Sequence, residues 1–152
     1  MSTTGARRAG PAALYLNVDL EIRSRTSLLP VVDALRPHLA VLHAGRVRGT
    51  FLASFQLPGV TRPPDVAIRR FAQALADLPP ALQASCREAR DRVFDIGLEW
   101  AAGSRAFPLA LRGDTVKTIA QLNARVAVTL YPRPRHEPRK PPAKRGRRAP
   151  GR

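Results

Sequence analysis

Two stretches, LYLNVDLEI at residues 14–22 and DRVFDIGLEW at 91–100, alternate apolar and polar residues with a period of two. In the first, Leu14, Leu16, Val18, Leu20 and Ile22 share one side, and Tyr15, Asn17, Asp19 and Glu21 share the other. In the second, Phe94, Ile96, Leu98 and Trp100 stand opposite Asp95, Gly97 and Glu99. Side chains of a strand point alternately to its two faces, so each stretch predicts a strand that is dry on one side and wet on the other. Strands of that kind belong to a mainly antiparallel sheet with helices packed on a single face.

The chain between and after them supplies the rest. SRTSLLPVVDAL predicts a short helix capped by Thr26 or Ser27 and stopped before Pro37, with Leu28, Val31, Val32 and Leu35 as its apolar stripe. LAVLHAG and GTFLASFQL predict a hairpin turned by residues 45–49, GRVRG. Ile68, Phe71, Ala72, Leu75 and Leu78 recur at spacings of three and four, which predicts a helix from Pro64 to about Leu78, broken by Pro79 and Pro80. ALQASCREARD adds a further turn or two of helix. After the strand ending at Trp100, FPLAL crosses as an extended piece. Asp114 is expected to cap a helix holding Val116, Ile119 and Leu122, which Asn123 ends in the left-handed conformation. RVAVTLY is the last strand, with Val126, Val128 and Leu130 expected inward.

The expected fold is therefore α+β, a two-layer sandwich close to the split βαβ (ferredoxin-like) arrangement. One domain over residues 13–131 is flanked by a flexible segment 1–12 and a disordered basic tail 132–152. Hydrophobic residues are 44% of the chain and aromatics only 5%, so the core is expected to rest on Leu, Val, Ile and Ala. The lone Cys86 excludes an internal disulfide and fits a reducing compartment, so a cytoplasmic location is expected. Arg7 and Arg8 begin no export signal, because Asn17, Asp19 and Glu21 break the apolar stretch that follows. No run of apolar residues is long enough for a membrane span, so no membrane partner is expected.

The closing unit, in which FPLAL leads into a helix with IAQLNA and then a strand ending in Tyr131, resembles that of a family of small bacterial α+β domains of unknown function. The resemblance covers residues 14–131. It implies a fold of the kind just described and no activity.

Four carboxylates, Asp19, Glu21, Asp95 and Glu99, share the wet face if the strands at 14–22 and 92–100 are neighbours. Clustered carboxylates can hold magnesium or calcium, or divide into an acid and a base. The plainer reading is a charged sheet surface with pairs to Arg23, Arg92 or Arg125, and a contact face for a polar or basic protein partner is a third. His38 and His43 lack metal-motif spacing and read as structural, His43 as half-buried in a strand. Cys86 has Arg87 and Arg90 nearby, which could activate a thiol, but its helical phase with Leu82 and Ala89 predicts a small core residue. GRVRG lacks the Lys and helix of a phosphate loop, and no cofactor is expected.

The net charge of +15 is uneven. Residues 133–152 hold nine basic side chains (Arg133, Arg135, Arg139, Lys140, Lys144, Arg145, Arg147, Arg148 and Arg152) against Glu137 alone. Six prolines from Pro132 to Pro150 oppose a helix there. Such an arm grips a polyanion such as nucleic acid by charge and reads no sequence. Solubility, or drift toward Arg, Pro, Ala and Gly codons in a GC-rich genome, would leave the same composition. A non-enzymatic binding domain with nucleic-acid contact through its tail is the leading expectation. Its rivals are a protein-binding, immunity-type module with a passive tail and a small metal-dependent enzyme using the four carboxylates. Nothing in the sequence specifies the oligomeric state.

Overall fold

The computed structural model describes residues 13–100 and 105–133. The segment 1–12, and all of the basic arm except Arg133, lie outside the described residues. Nine elements follow in order: β1 (Leu14–Ser24), α1 (Leu29–Leu35), β2 (Ala40–Val47), β3 (Thr50–Gln56), α2 (Pro64–Ala76), α3 (Pro80–Glu88), β4 (Asp91–Trp100), α4 (Gly113–Gln121) and β5 (Arg125–Pro132). The strands form one open sheet in the order β2-β3-β1-β4-β5. Every neighbouring pair is antiparallel except β4 and β5, which the α4 crossover makes parallel.

Val18, Leu20 and Ile22 of β1 are buried beside Ile96 and Phe94 of β4 and Ala53 and Phe55 of β3, and all belong to one cluster with buried residues of the four helices. Phe55, Phe71 and Phe94 are the largest of its fully buried side chains, with the Phe71 and Phe94 rings 6.2 Å apart and tilted. Three of the few aromatics thus sit at the centre of a core expected to be aliphatic: each Phe removes more apolar area from water than any aliphatic side chain here.

Proline pairs start both central helices. Pro63 and Pro79 hold ψ near 147° and 146°, and each is followed by a proline in the first helical turn, where its missing N–H costs nothing. Gln83 donates to the carbonyls of Ala76 and Leu78, both at 2.8 Å, tying α3 to the end of α2. Asn123, at φ 47°, ends α4 as expected. Its amide reaches Ala120 and that of Ala124 reaches Ile119, which closes a Schellman motif. In the β2–β3 hairpin only Arg48 (φ 50°) and Gly49 (φ 81°) turn; two positive φ values match the right-handed twist of the strands, and the rest of GRVRG is strand.

Expectations at the ends and edges of elements are corrected. A bulge between Tyr15 and Asn17 slips the β1–β4 register by a residue, so Leu14 is exposed and Tyr15 packs against the core with its hydroxyl on the Arg62 carbonyl at 2.8 Å. Neither Thr26 nor Ser27 caps α1, whose N-cap is Leu28, although the Ser27 hydroxyl accepts the Leu29 amide at 3.3 Å. Asp114 lies inside the first turn of α4, with Arg112 as the N-cap and the Asp65 carboxylate accepting the Arg112 amide at 2.9 Å. Val126, Val128 and Leu130 do point to the helix side, in register with Phe94, Ile96 and Leu98, but stay exposed because β5 is the margin of the sheet.

Arg92 shares the core side with Phe94 and Ile96 and is buried, not part of the wet face. It has no carboxylate partner among the described residues. Its guanidinium donates to the Cys86 and Arg87 carbonyls at the end of α3 and, at 3.4 Å, to the Asn123 carbonyl after α4. Two helix C-termini thus supply the partial negative charge that makes a buried cation tolerable. Arg92→Met should therefore cost about 3 kcal/mol in urea unfolding, because it orphans those carbonyls. Arg90→Gln, at an exposed neighbour, should stay within about 0.5 kcal/mol of the parent.

Candidate functional site

Among the described residues the second face of the sheet carries no helix. On it Asp19 lies directly opposite Asp95 in the β1–β4 register, with Glu21 one polar position further along β1. The four expected carboxylates are on this face, but they do not make one site. Glu99 is four residues from Asp95, about 13 Å along an extended strand, and is held by Arg133. Glu21 is held by Arg23 at 2.8 Å. Asp95 accepts the Thr129 hydroxyl through both oxygens, at 2.8 and 2.9 Å. Asp19 accepts the Asn17 side-chain amide at 2.8 Å. Among the described residues no group of three or more His, Cys, Asp and Glu side chains could hold a metal ion, so a carboxylate-based metal centre has no donor set here.

Gly97 shapes this arrangement. A Cβ there would stand 2.8 Å from the Asn17 amide oxygen, so the absence of a side chain on β4 is what lets Asn17 lie across the strand and reach Asp19. Burial, then the charges of Asp95 and Glu21, push the Asp19 carboxyl up to about 6. Burial also pushes Tyr15 up to about 12, with the Asp19 charge adding to it.

The arginines collect at one end of the same face. Arg23, Arg48, Arg90 and Arg125 line a hollow of about 490 Å³ together with Glu21 and Asp91, over a floor that includes Val93 and Ala127. Asp91 accepts from two nitrogens of the Arg125 guanidinium, and this hydrogen bonding holds its carboxyl below the usual range. With Glu21 on Arg23, both acids are occupied. Arg48 and Arg90 have no acidic partner among the described residues.

Sequence reasoning placed Arg23 and Arg125 on this face but missed Arg48 and Arg90. Their signal was positional: one is in the hairpin turn, the other just before β4, and only the strand order brings the two together. His38 and His43 are both exposed, against the half-buried expectation for His43, and lie apart from the hollow. Cys86 is buried in the core cluster, and burial pushes its thiol up to about 11 against the weaker opposing pull of Arg92 and Arg87, which disfavours the thiolate. The polyanion arm from Arg135 to Arg152 lies outside the described residues. No helix of the described residues is long and apolar enough to cross a membrane. No family model, curated protein or solved structure matches the chain.

Asp19 makes stability depend on pH in a defined direction. Its folded-state affinity for a proton is raised, so the folded chain retains that proton between about pH 4 and 6 while the unfolded chain releases it. The favourable contribution is present below the unfolded value and is lost as pH rises through about 6. Asp19→Asn should therefore match the parent below pH 4 and exceed it at pH 7 by about 1 kcal/mol, a figure discounted for the exposed half of the side chain. Urea unfolding across that range measures the difference.

Proposed function

We propose that this chain is a non-enzymatic binding domain that holds a polyanion, nucleic acid foremost, by charge. The arginine-lined end of the open sheet face is its fixed part and the basic residues 133–152 are its extension. The observation that carries this reading is the pair Arg48 and Arg90, two cations without acidic partners among the described residues, in a hollow already walled by Arg23 and Arg125. Guanidinium groups suit phosphate oxygens, which position a ligand without reading its bases. No aromatic side chain of the described residues lines the hollow, so base stacking contributes nothing there. The Asp19–Asp95 pair repels phosphate and confines the footprint to the arginine end.

Two finer assignments belong to the same proposal. The first four strands, ordered β2-β3-β1-β4 with a helix after β1 and helices after β3, fit a split βαβ (ferredoxin-like) body to which α4 and β5 add a margin. The resemblance to small bacterial α+β domains rests on the FPLAL and IAQLNA unit and accords with that body. A cytoplasmic setting accords with a nucleic-acid ligand and with the unpaired Cys86.

Fluorescence anisotropy with a mixed-sequence RNA tests the proposal. Affinity should fall log-linearly with salt, and Arg48→Asn combined with Arg90→Gln should lower the slope by about 2, roughly one for each phosphate no longer neutralised. Removing residues 134–152 should lower it further. Affinity indifferent to salt, or unchanged by both alterations, refutes the reading.

A further inference from the structure

Among the described residues β5 is a margin of the sheet, bonded to β4 on one side only. Margins of natural sheets usually carry something that stops them pairing with another chain, such as a bulge or a charge within the strand. The opposite margin does: β2 is bulged between Val41 and His43 and carries Arg46 within the strand. β5 has no bulge, and it keeps its charge, Arg125, and its proline, Pro132, at its two ends. It runs in unbroken register with β4 from Arg125 to Pro132, and no charged residue lies between Arg125 and Arg133. Its apolar row, Val126, Val128 and Leu130, is 42%, 54% and 58% exposed.

We propose that β5 pairs antiparallel with β5 of a second copy of this chain, about a two-fold axis at Val128. The strand is self-complementary about that residue. On the helix side Val128 meets its own counterpart and Val126 meets the second copy's Leu130; on the other side Ala127 meets Thr129 and Arg125 meets Tyr131. Apolar residues thus oppose apolar ones, and the cation opposes an aromatic ring. The same strands aligned in parallel would set Arg125 against Arg125 and Arg133 against Arg133, a like-charge arrangement that selects the antiparallel one. The pairing satisfies the free backbone groups of both margins, covers the apolar row and closes on itself, as a two-fold contact must. A margin of eight residues is small beside the roughly 800 Å² per partner of a standard interface, so the dimer is concentration-dependent. This surface meets the arginine hollow at Arg125 and Ala127, but the association needs no polyanion.

Sedimentation velocity on nuclease-treated full-length protein over a concentration series tests it. The parent should pass from monomer to dimer as concentration rises. Val128→Lys, at an exposed position that should leave the melting temperature unchanged, should remain monomeric throughout. A parent that is monomeric at every concentration, or a Val128→Lys variant that dimerises like the parent, overturns the proposal. So does a parent that dimerises only after residues 134–152 are removed, because the chain's own arm would then occupy the margin. Variants with one added cysteine test the register, since the native Cys86 is buried. Under mild oxidation Val128→Cys should cross-link to itself roughly ten-fold faster than Val126→Cys or Leu130→Cys, only the axial pair having disulfide geometry. Equal rates at the three positions contradict the antiparallel register.

Discussion

The pairing of β1 with β4 governs the molecule, because it sets a continuous apolar surface on one side of two adjacent central strands. Leu20 meets Phe94 and Val18 meets Ile96, all buried, with Ile22 continuing the row on β1. The two strands cannot be exposed together on that side without losing most of the core. Helices α1, α2, α3 and α4 therefore collect there, each contributing buried side chains to the same cluster. Where the apolar row ends on β4, Arg92 takes the next place on the core side, and the ends of α3 and α4 converge on its guanidinium. The packing of the sheet and the termination of two helices are in this way one problem with one solution.

The opposite face follows from the same alternation. Each core-side residue of β1 and β4 sends its neighbours to the other face, which brings Asp19 against Asp95 and leaves Asp19 half-buried with a raised proton affinity. Cations are held to the strand ends, where Arg23, Arg48, Arg90 and Arg125 meet. The face is accordingly divided, acidic in the middle and basic at one end. That division favours an anionic ligand at the basic end, and the exposed apolar row of β5 forms a second, chemically different surface at the margin.

Much of this was legible in the residues. The alternation of LYLNVDLEI and DRVFDIGLEW marked β1 and β4 and put Asp19, Glu21, Asp95 and Glu99 on their wet sides, the split βαβ arrangement made the two strands neighbours, and the proline pairs and Asn123 marked helix boundaries that hold in space. Other features were not, for identifiable reasons. The bulge at Tyr15/Asn17 depends on how β1 meets its neighbour, and no periodicity within β1 encodes it. Tyr15 is amphipathic enough to suit either side, so its burial could not be read from its type. Arg92 resembled any other charged residue beginning a strand until two helix ends were seen to converge on it.

What the amino-acid order determined by itself was local and periodic: which stretches extend, which coil, where prolines and Asn123 interrupt them, and which side of each strand avoids water. These depend on interactions within a few residues, so they are written in a few residues. Only the tertiary structure decided which of those dry sides are covered. Val126, Val128 and Leu130 alternate as regularly as Val18, Leu20 and Ile22, yet β1 lies inside the sheet under the helices and β5 lies at its margin. Burial is a property of neighbours, and strand order, not strand sequence, assigns the neighbours.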